Sequence, residues 1–423
     1  MTAPQPASSL FLTGNAISQK PPDPKAAPRG HVPDSEPGLI EDDQQVREIP
    51  AQSQDLTAGH GPDIALLRVI RARIDDEDCF KLELHYRGKM RGTNKPDELR
   101  NQRRPGTVLA DELNEGTSPA DALRHYEYMR NWSDGKYKLT RWLTMLRREA
   151  GARLRLVVWD NTDFGIPWEL FWHDMDEDAQ WLGAAVQVIR WTTVHDPNRS
   201  AQFSAEVTEC QSDNVLYYED PDVVEDPLLH SICNGKESGY KAVTSMNELL
   251  QELAGTAVTY GLVYVRGHGT HDDSISNATL AGVRLAELAH LKLLALRDAG
   301  SVVFLNACNS ARPVFDKSYG DELNRNFAEF FLRQHAAAVM ATMAEVPVEQ
   351  SARLARRLIK QARSGGVQLP EYLRVHRANY AAALPKNTID ITDADLDAIL
   401  HFLYASMFVY FGHTESVFKL AGR

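Results

Sequence analysis

Five short apolar runs in the second half of the chain, Asn214–Tyr218, Lys241–Thr244, Tyr260–Arg266, Ser301–Ala307 and Ala336–Met343, are separated by stretches long enough for helices. Runs of this length read as strands buried on both faces, and with helix-length spacers they spell strand-helix-strand units of a parallel sheet. Parallel neighbours joined by a crossover bring their C-terminal ends to one edge of the sheet, which is where open α/β folds hold their ligands. The ends of these runs are therefore the first place to look for chemistry.

Two of them carry it. The third run passes into Gly267-His268-Gly269 and the fourth into Asn306-Ala307-Cys308-Asn309-Ser310, with the leucine-rich stretch Val283–Leu296 between them read as the crossover helix. Adjacent strands lie roughly 5 Å apart, so neighbours would present His268 and Cys308 to each other. A thiol is a weak nucleophile until it loses its proton, and an imidazole beside it both favours the thiolate and can protonate a departing amine. Gly269, without a side chain, can bring its N–H up to a reacting carbonyl, and with the N–H of Cys308 it could stabilise an oxyanion. The reaction class is acyl transfer to water. Taken singly, each residue also has a bland reading, Cys308 as a small buried side chain and His268 as a polar loop residue. His268, His271 and Asp272 could instead ligate a metal, but no second cluster supports it, and neither a metal nor another cofactor is expected. GxSxG and GxxxxGK[ST] are absent, and Gly267-His268-Gly269 lacks the third glycine of a dinucleotide loop.

The first half reads differently. Residues 1–62 hold ten of the 21 prolines and one aromatic, Phe11, too little apolar surface to offset ordering, so a disordered arm is expected. Residues 63–205 are read as a smaller α/β region, with an apolar run Ile64–Ile74, strands at Phe80–Tyr86, Leu154–Trp159 and Val186–Trp191, and helix over Ala120–Ala150; Asp196–Cys210 is a polar connector. Residues 206–423 form the region with the parallel sheet. The formal charge of −12 argues against a nucleic-acid partner. The stripe Arg353, Arg356, Arg357, Lys360 and Arg363 is read as solvated helix surface, with RNA binding the competing reading. No apolar run reaches the roughly 20 residues that span a bilayer, no signal peptide is visible, and four scattered cysteines without a CxxC pair suit a cytoplasmic setting.

With these residues in view, the chain resembles the CHAT proteases, caspase-like cysteine peptidases of the caspase, separase and gingipain group. The likeness runs over about residues 140–420 and rests on Ile166-Pro167-Trp168-Glu169-Leu170, Tyr264-Val265-Arg266-Gly267-His268-Gly269 and Val303-Phe304-Leu305-Asn306-Ala307-Cys308-Asn309-Ser310. It implies an α/β fold with a caspase-like, mostly parallel sheet flanked by helices, a preceding noncatalytic region, a His268/Cys308 dyad, and oxyanion donors at Gly269 and Cys308. Arg266 departs from the small or apolar residue usual before the Gly-His pair, and no repeat-type sensor module is recognisable. The resemblance further implies a latent protease in a bacterial defence or cell-death system, switched on by a separate sensor to cut a partner protein encoded nearby. In such proteins the loop after the first strand and loops near the dyad build the pocket for the residue before the cut. Here Glu219, Asp220, Asp272 and Asp273 would make it acidic and favour Arg or Lys, with Asp220 first because it ends a strand; exposed loop carboxylates are the alternative for each. The loop Asn309–Asp321 is expected to move over substrate, with Arg312 or Lys317 as activation cleavage points. Trp168 and Glu169 are assigned to structure, where the N-terminal region meets the catalytic sheet. The competing class is a noncatalytic adaptor that keeps the fold and binds a partner.

Overall fold

The structure is a computed structural model and describes residues 49–50, 61–105, 109–173, 180–194, 212–223, 225–234, 239–272, 274–297, 299–316, 323–385 and 390–420. Of the expected arm, only 49–50 and 61–62 fall among them, and Ile49–Pro50 pairs antiparallel with Thr193–Val194. The expected connector 196–210 lies outside the described residues.

Eleven strands form one sheet: β1 (Ile64–Ile74), β2 (Glu77–Tyr86), β3 (Lys89–Thr93), β4 (Arg155–Asp160), β5 (Gln187–Trp191), β6 (Val215–Glu219), β7 (Tyr240–Val243), β8 (Leu262–Gly267), β9 (Val302–Ala307), β10 (Ala338–Thr342) and β11 (Phe408–Gly412). Their spatial order is β7-β6-β8-β9-β10-β11-β5-β4-β1-β2-β3. Strands β7, β6, β8, β9 and β10 run parallel, β11 turns against β10, and β11, β5, β4 and β1 run together. The sheet is thus mostly parallel, and strands from before and after residue 205 share it.

The apolar runs dictate this. β8 and β9 are buried at every position, as strands sandwiched between two helical layers must be. In β4 the period of two sends Leu156 and Val158 to one core face and Val157 and Trp159 to the other. The flanking helices are α1 (Pro119–Asp134), α2 (Tyr137–Ala150), α3 (Pro227–Cys233), α4 (Met246–Ala254), α5 (Phe327–Arg333), α6 (Val348–Ser364), α7 (Leu369–Ala381) and α8 (Asp393–Met407). The helix expected over Ala120–Ala150 is two, broken at Gly135-Lys136. The crossover expected as a helix over Val283–Leu296 is a bridge strand, one helical turn at Leu285–Leu288 and a 3₁₀ turn at Leu294–Leu296. Leu285, Leu288, Leu293 and Leu296 reach the core from these separate pieces, while Leu294 is exposed.

Trp168 differs from expectation too. It lies within the N-terminal core, edge-on to Phe80 and Trp132, rather than at a junction with the strands β6 to β10. Glu169 makes that junction: it pairs with Arg190 of β5 inside the protein, and Arg377 of α7 closes over it.

Candidate functional site

Strands β8 and β9 are parallel neighbours in the register Arg266↔Asn306 and Gly267↔Ala307. The next residue on each is His268 and Cys308, so the two side chains leave the same edge from adjacent strands. His268 is exposed and Cys308 partly so.

Gly269 shows how close the two loops come. A side chain there would drive its Cβ into the carbonyl oxygen of Cys308 and to 3.3 Å from Cys308 N. Gly269–Thr270 pairs antiparallel with Thr279–Leu280, and Ala281 N–H donates to the His268 carbonyl at 2.8 Å. Hydrogen-bonded and open pairs alternate along such a ladder. Gly269 therefore occupies an open pair, and its N–H turns away from that partner strand.

The cysteine turn is pinned from beneath. Asn309 adopts φ 57°, a left-handed conformation that Asn tolerates better than most residues. Ser310 Oγ donates to the Leu305 carbonyl and accepts from Thr342 N–H at 3.1 Å, and Thr342 Oγ1 donates to the Ala307 carbonyl at 2.6 Å. Both are buried. Burial pushes the Cys308 thiol up from its ordinary value; the Val346 N–H opposes this, while Glu345 and Glu115 push it further up.

Asp220 joins the same edge. Its N–H donates to the Arg266 carbonyl at 2.8 Å, and its carboxylate lies over Gly267, where a Cβ would meet Oδ2 at 3.4 Å. Asp220 falls level with Gly267 and Ala307, one register position short of His268 and Cys308, and its Oδ1 accepts Asp222 N–H at 3.1 Å. Glu219 does not serve the expected pocket, because Arg266 beside it on β8 takes its carboxylate in a buried ion pair. The unusual Arg266 exists to balance that charge. Asp272 is spent on its own turn, accepting from Ser274 N–H and Asn277 Nδ2. Asp273 and Lys317 lie outside the described residues. Arg312 is paired with Asp111. Residues Val314–Asp316 and Leu323–Arg325 pair antiparallel beyond it.

Sequence reasoning missed Ser310, Thr342, Glu345 and Glu115. The strand-end rule applied to the fifth run would have found Thr342 and Glu345; Glu115 has no local signal at all. In the basic stripe of α6, Arg356 is engaged by Asp226 and Glu349, and Arg353 by Glu349. Among the described residues no group of three or more His, Cys, Asp or Glu could hold a metal ion, and no helix is long and apolar enough to cross a membrane.

A family model described as the CHAT domain matches residues 138–397, more than half of the chain. Among solved structures the chain is similar to the Saccharomyces cerevisiae separase-securin complex. One crystal structure of it matches at 11% identity and TM-score 0.46 over 86% of this chain, and another at 12% and 0.39 over 83%. The chain spans 30% of the length of each of those chains. No curated protein sequence matches.

Proposed function

The chain belongs to the CHAT domain family, and on that premise we propose that it is a cysteine endopeptidase with Cys308 as nucleophile and His268 as general acid and base. The observation that supports the reading is the register Gly267↔Ala307 between parallel neighbours, after which His268 and Cys308 follow at adjacent strand ends on one edge, His268 exposed and Cys308 partly so.

The chemistry follows from the placement. His268 takes the thiol proton, and the Cys308 sulfur attacks the scissile carbonyl carbon. The N–H of Gly269, turned away from its ladder, and the N–H of Cys308 meet the oxyanion. Collapse of the tetrahedral adduct expels the amine, which leaves with the proton held by His268. Water, deprotonated by the same imidazole, then hydrolyses the thioester. Asp220, at the end of the neighbouring strand β6, would favour Arg or Lys before the cut by charge-assisted pairing.

A thiol held above its ordinary value supports a latent resting state. The same reading carries the sensor-triggered cleavage of a partner protein, in defence or cell death, and a cytoplasmic setting in which Cys79, Cys233 and Cys308 stay unpaired. The test is labelling by an electrophilic peptide probe ending in Arg or Lys, in wild type, His268→Ala and Cys308→Ala, with neutral and acidic probes and candidate activators alongside. Labelling that requires both residues supports the dyad. Silence under every condition turns the assignment to the noncatalytic adaptor.

A further inference from the structure

Residues 109–117 belong to the N-terminal half, yet they end against the two loops that flank Cys308. Asp111 forms an ion pair with Arg312, four residues past the nucleophile, whose side chain is only 11% exposed. Glu115 Oε1 accepts the Val348 N–H at 3.1 Å, at the start of α6 and two residues beyond the Val346 N–H that faces the thiol. The Asn114 carbonyl accepts the Tyr404 hydroxyl of α8 at 2.6 Å.

The turn is stiff enough to act as a part. Leu109 and Leu113 are buried in the main core. Asn114 N–H donates to Thr117 Oγ1 at 2.8 Å, and Asn114 Oδ1 accepts Gly116 N–H at 2.9 Å. Ser118, the next residue, caps α1 by accepting Asp121 N–H. A displacement of α1 is thereby a displacement of this turn.

We propose that Asp111 and Glu115 are positioning residues of the Cys308 site, holding the loop after the nucleophile and the start of α6, so that the N-terminal half controls the setting and reactivity of the thiol through this one turn. The inference rests on Cys308 as the nucleophile. Electrostatics agrees with the contacts. Glu115 and Glu345 both act on Cys308, and the same two carboxylates act on Tyr404, so thiol, phenol and both acids share one neighbourhood. On the adjoining strand β8 the residue after Gly267 is His268. With the turn in place, a carboxylate stands by the sulfur and both loops are fastened; with it withdrawn, the charge and the fastening go together.

The experiment is site-resolved alkylation of Cys308 by iodoacetamide across pH in the full chain, read by mass spectrometry. Glu115→Gln keeps an oxygen for the Val348 N–H and removes the charge. It is expected to alkylate about threefold faster at neutral pH, with the whole profile moved toward acid. Glu112→Gln, whose partners are Arg124 and His125, should leave the profile alone. A Glu115→Gln profile that superimposes on wild type overturns the proposal, since a merely structural glutamate would give that result. Asp111→Asn should speed modification of the Arg312 guanidinium by phenylglyoxal, read by mass spectrometry, by about fivefold, by freeing its side chain from the pair; an unchanged rate overturns that half of it. A probe that labels wild type while Glu115→Gln shifts nothing sinks this coupling and leaves the peptidase standing. A shifted profile in a protein that no probe labels does the reverse.

Discussion

The sheet has two carboxyl edges, and they are used in opposite ways. Strands β8 and β9 end together at His268 and Cys308, while β4 and β5, also parallel neighbours, end at Asp160 and Trp191 on the opposite edge, because direction reverses between β10 and β11. At the second edge the segment Ile166–Leu170 folds over the strand ends. Asp160 accepts Thr162 N–H at 2.9 Å and Trp168 Nε1 at 2.8 Å, and burial pushes its carboxyl up. Arg190 is locked to Glu169, whose carboxyl burial would raise but Arg190 holds below its usual value. At the first edge glycines replace the plug, and the polar groups keep an exposed side. Strand ends therefore locate two candidate places in this fold, and what separates a site from a keystone is whether its charges are already answered from within.

The largest effects expected from that contrast are at the open edge. Cys308→Ala should abolish probe labelling, and His268→Ala should lower it by at least about a hundredfold, each with a thermal midpoint within about 2 °C of wild type. A large loss of midpoint in either variant would make the open edge a keystone too and erase the contrast.

Glu169→Ala should do the opposite. It leaves Arg190 and Arg377 buried without their counter-charge, a condition that costs about 3–5 kcal/mol. Urea unfolding gives the figure directly, and a loss under about 1 kcal/mol would mean water or relaxation answers those charges, so that the closed edge is not sealed.

Gly269→Ala comes next and belongs to the open edge alone. The methyl group meets the Cys308 carbonyl, and the loop or the cysteine turn must shift by about an ångström, worth about a hundredfold in labelling rate. The denaturant slope should not change, since no core residue moves. Full labelling in this variant would show that the N–H of residue 269 and its closeness to the cysteine turn are dispensable.

These residues also show how legible the molecule is in its sequence. The five apolar runs became β6 to β10 because strands buried on both faces have only one composition available to them, and the strand-end rule then isolated His268, Cys308 and Asp220. Pairing across distance was not legible. Nothing local marks Glu219 as Arg266's partner, although the odd arginine before Gly267 was a hint that a carboxylate must lie beside it. Glu115 reaches Val348 from 233 positions upstream, and the crossover after β8 lost its helix to tertiary packing of single leucines. Trp168 looked like an interface residue because large aromatics often are, but Phe80, Trp132 and Phe171 gave it a core of its own.

The smallest effect tests the sealed interior beside Arg377 by pH. His376 precedes Arg377 on α7, stacked edge-on against Tyr380 and Phe408, with its Nε2 unpartnered among the described residues. Burial, with Arg377 and Arg357 nearby, brings its titration down from 6.5 to about 3. In the unfolded chain this imidazole takes a proton near its ordinary value, and in the folded chain only near 3. Between those limits the unfolded state holds the extra proton, so stability falls as pH falls, by at most about 1.4 kcal/mol per unit from this group. Other groups titrate there too, which is why the quantity to read is the difference between wild type and His376→Gln. That difference should shift by about 1–2 kcal/mol in the variant's favour between pH 7 and pH 5. A pH-independent difference would mean that His376 is protonated or hydrated in the fold, and that the interior beside Arg377, which holds the counter-charge to Glu169, admits water.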